Sequence, residues 1–557
     1  MRVTNKMIMN NAASNINTTK EVVNKRNKQM TSQKQIDKPS DDPVIAVRSL
    51  RLSTTLSQVT QYYSKNIPDA SQWLDVTETA LINMRNIVKD CREATVSGST
   101  DTNNSQDDRN TILTQLQSLQ KQLYAEGNAD YANRTVFTGY RTDSTLTFTE
   151  DETKTKYRID QSFSIVDSME ERRYYSGSVD VPTTEAEVLA PSLETTDPSY
   201  EEISDIIQTN YYRVRFGYDN IGTINSINIP GVCEDYTFNS TDDVYNDNVV
   251  ITSVVGAQTY TIKVYDNATS WANDTDTTVK GDVPTESTAT SVAGLKTVAD
   301  NSVVIIKETG EIIFGNTVAA NLKTADATID IQYDKTGFNN GELKPEYYYN
   351  CTKLMDKDGA ELSQNNVYTK FDDNGDVINF DIQYTISANQ TITINTEASD
   401  VFDSSLYRDL TEMIDAVKNA MNAYDKVSTI ENMMSETQYA STEDQEMLAL
   451  WKDAAQKEFD YYSDNMQKLF NTELGKMDEY YATISLAITD LGCKQDSLSL
   501  TKTRVGDQKE TVQELQSKND DIDLSQIIIE YTAAYTAYQA SLTAAGKLGE
   551  STLLNYI

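Results

Sequence analysis

Apolar residues recur at alternating intervals of three and four near both ends of the chain and at intervals of two through its middle. The first spacing draws one stripe along a helix, and the second fills one face of a strand. Lys38-Pro39-Ser40-Asp41-Asp42-Pro43 predicts a helix start, with Ser40 or Asp41 as cap and Pro43 in the first turn. The helix that follows carries the stripe Ile45, Ser49, Leu52, Leu56, Val59 and Tyr63. After a one-residue phase shift near Pro68, where a kink is expected, the stripe resumes at Ala70, Leu74, Thr77, Leu81, Met84, Val88 and Cys91. A shorter helix with Ser105 as its cap presents Ile112, Leu116, Leu119 and Leu123 on one face.

The C-terminal part repeats the pattern with Leu410, Met413, Val417, Ala420 and Tyr424. It returns later in Leu474, Met477, Tyr481, Ile484, Ile488, Leu491, Leu498, Val505 and Val512. Beyond the polar interval 517–523, a last helix offers the seam Leu524, Ile528, Tyr531, Tyr535, Tyr538, Leu542 and Ala545, and the apolar Leu553, Leu554 and Ile557 end the chain. Its expected mate is the N-terminal segment, where Met9, Ile16, Val23 and Met30 recur every seven residues with Ala12 and Thr19 between them. Aromatic residues at such spacing make a packed core more often than a free binding surface. Where helices pack between copies, however, core and interface are one surface. The thin N-terminal stripe gains stability only from what packs on it.

Between about residues 140 and 404 the alternation is that of strands, as in Tyr211–Phe216, Thr259–Val264 and Ala327–Gln332, and Asp373-Asn374-Gly375-Asp376 reads as a hairpin turn. The fold class is therefore α+β and multidomain. The terminal helices pair as a coiled coil or bundle, and a mainly β region is inserted between them. The expected division is 1–40 with 517–557 as the terminal pair, 41–138 with 405–516 as a helical bundle, and 139–404 as one or two inserted β domains. At 557 residues the chain exceeds what one core ordinarily supports.

Composition narrows the chemistry. A formal net charge of -37 repels phosphate backbones and anionic membranes, so neither nucleic acid nor a membrane is an expected partner. Residues 1–60 run against this balance, with 10 basic side chains and 4 acidic ones, the pattern of a basic helix facing solvent or acidic neighbours. The chain has no histidine, which removes the usual neutral-pH general base and the commonest metal ligand. Cys91, Cys233, Cys351 and Cys493 are scattered without metal-ligand spacing and read as isolated buried thiols.

Asp372, Asn374 and Asp376 echo a calcium loop, but Val377 stands where that loop needs glycine, so a plain turn is the better reading. Asn239-Ser240-Thr241, Asn267-Ala268-Thr269, Asn273-Asp274-Thr275 and Asn350-Cys351-Thr352 fit the glycosylation pattern, as chance produces in a chain rich in Asn and Thr. No catalytic, cofactor or metal site is expected, and the chain reads as a non-enzymatic assembling subunit. No run approaches the roughly 20 apolar residues of a membrane span, and residues 1–31 lack the apolar stretch of a cleaved signal peptide.

Four segments carry a resemblance. They are Met1-Arg2-Val3-Thr4-Asn5-Lys6-Met7, the 38–46 segment, 128–142 with Val136-Phe137-Thr138-Gly139-Tyr140, and the C-terminal run from Ile382-Gln383-Tyr384-Thr385-Ile386 through Thr391–Asn395, Val401-Phe402 and the last helix. Together they resemble the bacterial flagellar hook-associated protein 3 family, the flagellin-like hook-filament junction proteins. The resemblance covers roughly residues 1–150 and 376–557. It implies a ring of copies between hook and filament, with the paired terminal helices at the inner core and the β region outward. Its implied partners are other copies, hook-associated protein 1, flagellin, and the flagellar type III export apparatus with an export chaperone. It also implies an extracellular place on the flagellum, reached without a cleaved signal, and no cofactor. On that basis the assembly residues are Met9, Ile16, Val23, Met30, Leu524, Ile528, Tyr531, Tyr535, Tyr538 and Leu542. A flagellin-type filament subunit and an extracellular enzyme or adhesin acting through residues 150–375, with the helices as its anchor, are the competing readings. The 38–43 segment and the N-terminal start argue against the first, and the missing histidine weakens enzymatic forms of the second.

Overall fold

The computed structural model describes residues 5–100, 105–176, 179–190, 207–238, 249–255, 258–281, 297–362, 366–372 and 375–550. The long helices are α1 (Asn5–Ser32), α2 (Pro43–Gln61), α3 (Ile67–Gly98), α4 (Gln106–Gln122), α5 (Asn316–Thr324), α6 (Leu406–Ser435), α7 (Thr442–Asp520) and α8 (Leu524–Glu550). The strands are β1 (Asp130–Tyr131), β2 (Arg134–Thr135), β3 (Glu152–Ser164), β4 (Glu170–Ser176), β5 (Ile207–Arg215), β6 (Ile221–Ile229), β7 (Cys233–Thr237) and β8 (Val250–Val255). They continue as β9 (Gln258–Tyr265), β10 (Ser302–Ile306), β11 (Glu311–Phe314), β12 (Thr328–Phe338), β13 (Asn350–Met355), β14 (Val367–Tyr368), β15 (Gln383–Ser387) and β16 (Gln390–Thr393). Two compact units result. The first comprises Met1–Gln72, Gln383–Ile394 and Gly492–Ile557, and the second Trp73–Ile382 with Asn395–Leu491.

In the first unit, the start of α2 corrects the expected cap. Asp42 is the cap, its carboxylate accepting the amides of Val44 and Ile45, with Pro43 in the first turn. Asp41 instead accepts the amides of Asp37 and Lys38 and closes the approach to the helix. The phase shift near Pro68 is taken up by a π-turn over Tyr62–Asn66, in which the Ile67 amide donates to the Tyr62 carbonyl and one extra residue is absorbed. β15 and β16 form the expected hairpin, and Tyr384 hydrogen-bonds Asp69.

In the second unit the apolar stripes bury as spaced. Leu74, Leu81, Met84, Val88 and Cys91 of α3 and Leu410, Met413, Val417 and Ala420 of α6 are fully buried, whereas Tyr424 is 39% exposed. Ser105 caps α4 by accepting the Asp108 amide. The buried positions Met477, Ile484 and Leu491 of α7 stand seven apart, and Leu498, Val505 and Val512 continue that heptad within the first unit.

The strands of the second unit form two six-stranded sheets, one ordered β14-β13-β3-β12-β6-β7 and the other β4-β5-β11-β10-β9-β8. The first is antiparallel throughout, and in the second β9 and β10 run parallel. Ile159, Phe163, Ile224, Ile227, Ile329 and Tyr333 of the first sheet share a core with Val214, Ile262, Val264, Val303, Ile305 and Ile312 of the second. On the second sheet's other face, Val304, Ile306 and Ile313 pack with Tyr265, Trp271 and Val279. The uninterrupted run Val303–Ile306 is thus apolar because its strand is covered on both faces. The turn at 372–376 closes with the Asp376 amide on the Asp372 carboxylate and a bridge from Phe371 to Val377, a hairpin as read. Asp373 and Asn374 themselves lie outside the described residues, as do Asn239-Ser240-Thr241, Leu553, Leu554 and Ile557. Cys91, Cys233 and Cys351 are buried free thiols, but Cys493 is exposed, which corrects the reading of all four as buried.

At Gly310 the backbone leaves no room for a side chain. Gly310, between β10 and β11, has φ +59, and a Cβ there would stand 2.2 Å from the Tyr218 carbonyl oxygen. Gly310→Ala is expected to destabilise the second unit by about 2–4 kcal/mol, from left-handed strain plus the clash with backbone. Thermal or urea unfolding of the variant reads this, and a change below about 0.5 kcal/mol would show that the turn accepts a side chain.

Candidate assembly interface

The first unit brings the two ends of the chain together. α1 and α8 pack antiparallel, with Arg26 on Glu530 at 3.0 Å and Lys34 on Asp521 at 2.5 Å. The connector after α1 and the one before α8 are laced by backbone bonds, the Gln35 amide donating to the Asp520 carbonyl and the Ile522 amide to the Gln33 carbonyl. Gln29 closes the corner by donating to the Gln35 carbonyl, and Asn519 and Asp520 hold α2 through the Ile45 carbonyl and the Ser49 hydroxyl. Asp523 then caps α8 by accepting the amides of Ser525 and Gln526. The Lys34 ammonium, helped by the Ser517 hydroxyl, holds the Asp521 carboxyl below its ordinary range.

On α1 the half-buried positions are Ala12, Ile16, Thr19, Val23, Arg26 and Met30, the thin stripe expected, whereas Met9 near its start is 55% exposed. On α8 the seam differs from the expected one. Ile527 is fully buried, and Glu530, Tyr531, Ala534, Tyr538, Ser541 and Ala545 follow it as the half-buried positions. Tyr531 and Tyr538 therefore face inward as read, but Leu524, Ile528, Tyr535 and Leu542 are 46%, 47%, 43% and 43% exposed. At about 100° per residue these four lie roughly 60–100° around the helix from Ile527. α8 thus carries an apolar band wider than one seam. α1, lined by alanine and threonine, covers one edge, and among the described residues Leu524, Ile528, Tyr535 and Leu542 remain an exposed apolar strip.

The second unit holds a feature that the sequence did not announce. Arg172 of β4 and Arg213 and Arg215 of β5 meet Asp409 and Glu412 of α6 and Glu473, Lys476 and Tyr480 of α7, with Glu170 and Glu311 completing the cluster. Arg172 lies 2.8 Å from Glu473, Arg213 lies 2.5 Å from both Glu311 and Glu412, and the Tyr480 hydroxyl donates to Asp409 at 2.7 Å. Burial pushes the Glu412 carboxyl up, but Arg213, Arg172 and Arg215 outweigh it and hold it at about 2. Glu170 is likewise held far below the carboxylate range, against the burial penalty, by Arg215, Arg172, Lys476 and Arg213. Glu473 moves up, by burial and then by Asp409. The charges pair with one another, so the arrangement locks sheet to helices. Among the described residues, no three Cys, Asp or Glu side chains converge on a point that could hold a metal.

Helical arms from both ends of the sequence, one thin and one broad, with sheets encoded between them, make this an α+β protein of flagellin-like fold. Residues 3–142 match the family described as the bacterial flagellin N-terminal helical region. The chain is similar to flagellar hook-associated protein 3 of Salmonella typhimurium, 30% identical over 145 residues that make up 26% of this chain and 45% of that protein. It is also similar to the protein of the same name from Escherichia coli, 32% identical over 150 residues, 26% of this chain and 46% of that one. The chain spans about half the length of the curated relatives it matches. Solved structures of flagellar hook associated protein-3 and of a flagellar junction protein, both from Legionella pneumophila, are 12% and 13% identical with TM-scores of 0.29 and 0.25. They cover 84% and 81% of this chain and 97% and 99% of their own.

The two edges of the α8 band predict different costs. Ile527→Ala is expected to loosen the terminal pair by about 2–4 kcal/mol and to speed proteolytic nicking within α1, while Ile528→Ala changes it by less than about 0.5 kcal/mol. Equal effects would refute the register. For the ion cluster, the depressed Glu412 pKa contributes stability that is complete above its unfolded value near 4.5 and is lost as pH falls toward 2. Glu473, raised, works in the opposite sense. Unfolding measured from pH 6 to pH 2.5 should therefore fall less steeply in Glu412→Gln than in the parent chain, and parallel slopes would contradict the assignment.

Proposed function

We propose that this chain is a non-enzymatic structural subunit of the bacterial flagellum that joins the hook to the flagellin filament. The observation that carries the reading is the exposed strip Leu524, Ile528, Tyr535 and Leu542 on a helix whose other edge is already packed, in a chain whose N-terminal arm matches the flagellin helical region. Copies in a ring would cover that strip, the terminal pair forming the inner core and the β region facing outward. Hook-associated protein 1 and flagellin would meet the ring on its two sides. Such a place is extracellular, which calls for the flagellar type III export apparatus and an export chaperone. Assembly and the final ordering of the arms are then one event. Met9, Ile16, Val23, Met30, Leu524, Ile528, Tyr531, Tyr535, Tyr538 and Leu542 are the proposed assembly residues, divided between an inner seam and an outer strip. The shared flagellin N-terminal region supports a second reading, a subunit of the filament itself.

Labelled chain on purified flagella separates the two, a thin band at the hook-filament boundary supporting the junction and label along the filament supporting the second reading. Ile528→Asp with Leu542→Asp is expected to leave the free chain's unfolding within about 0.5 kcal/mol of the parent and yet to give cells with hooks and no filaments. Normal filaments in that strain would refute the proposed role of the strip.

A further inference from the structure

β8 is an edge strand, paired on one side with β9 in the register Val250↔Lys263 to Val255↔Gln258. The Val264 amide donates to the Val249 carbonyl at 3.1 Å, which fixes the phase of the ladder. Bonded and non-bonded pairs alternate in an antiparallel pair, so the backbone groups of Ile251 and Ser253 turn toward β9 while those of Val250, Thr252 and Val254 turn outward. The outward residues also have exposed side chains, Val250 at 49% and Val254 at 67%, whereas Ile251 is buried. Among the described residues, nothing pairs with that outer edge.

Among the described residues, the other three edges of the two six-stranded sheets are protected in the usual ways. β4 opens with Glu170-Glu171-Arg172-Arg173, β7 exposes Glu234 and Asp235, and β14 is 2 residues long. β8 has none of these devices, and from Val249 to Ala257 the chain contains neither a charge nor a proline. We propose that β8 is the docking edge for β8 of a second copy of this chain.

Like net charge, -37 on each copy, opposes association over most of the surface, and the uncharged β8 edge is where that repulsion is least. Geometry is what selects a second copy. Antiparallel self-pairing on a two-fold axis through Thr252 sets Val250 against the partner's Val254 and brings outward backbone groups onto outward backbone groups, whereas a slip of one residue sets outward groups against inward ones and loses the ladder. The valines then form cross-strand pairs on one face of a sheet continuous across both copies. A two-fold contact closes on itself, so this association is distinct from a ring and does not depend on the flagellar reading.

The test uses the full chain in a Cys493→Ser background, since Cys493 is the exposed thiol. Sedimentation velocity over rising concentration should show a monomer-dimer equilibrium. Val250→Lys with Val254→Lys, which sets like charges opposite each other, should weaken it by about ten-fold or more with an unchanged circular dichroism spectrum. Thr252→Cys should cross-link to its own copy under mild oxidation, because a bonded antiparallel pair holds its Cα atoms about 5.5 Å apart, within reach of a disulfide. A parent chain that stays monomeric at every concentration would overturn the proposal, as would a dimer that the double lysine variant leaves intact or a Thr252→Cys chain that fails to cross-link.

Discussion

A helix can bury only as much of its apolar band as its partner is wide, and in the first unit the partner is narrow. α1 offers Ala12, Ile16, Thr19, Val23 and Met30, and that stripe covers the Ile527, Ala534 and Tyr538 edge of α8. The edge formed by Leu524, Ile528, Tyr535 and Leu542 stays exposed. Exposure of large side chains along one continuous line has a standing free-energy cost, which burial against further helices removes. The laced connectors at 33–35 and 520–522 make the consequence specific, since they hold the two arms in one register and so fix which edge is left over.

The second unit solves a different problem with different chemistry. Its two sheets close on each other through aliphatic and aromatic side chains, while β4 and β5 meet α6 and α7 through arginines and carboxylates. Buried ion pairs add little net stability because desolvation offsets attraction, but removing one partner strands a buried charge. Such a contact tolerates few alternatives and sets one position of strand against helix. Arg408 extends the same logic by donating to the Phe216, Thr309 and Gly310 carbonyls, which ties the Gly310 turn to the start of α6.

Much of this was legible in the sequence. The heptad from Met477 to Val512, the α3 stripe from Leu74 to Cys91, the Ser105 cap and the strands around Tyr212, Ile262 and Ile329 follow from periodicity and capping chemistry alone. The phase shift near Pro68 was visible as well, but periodicity does not distinguish a kink from the π-turn at Tyr62–Asn66. Three neighbouring oxygen-bearing side chains, Ser40, Asp41 and Asp42, could each cap α2, and only the turn that Asp41 closes leaves the role to Asp42. The α8 seam was misplaced because the band is wide enough to hold two seams, and its partner's width decides between them. The ion cluster left no usable signal, since its members, 311 aside, fall into local pairs, two apart at 170/172 and 213/215 and three apart at 409/412 and 473/476, and nothing in those spacings links one pair to another among 85 acidic residues. The limits of the two compact units at Gln72 and Leu491 fall inside α3 and α7, where an unbroken helix gives no mark.

In the free chain α1 and α8 are incompletely covered. Hydrogen exchange of amides 5–32 and 524–547, in dilute monomer and in purified assembled flagella, tests it directly. Fast exchange is expected in the monomer, against slow exchange at Val303–Ile306, with strong protection of both arms after assembly. Full protection of both arms in the dilute monomer would contradict it.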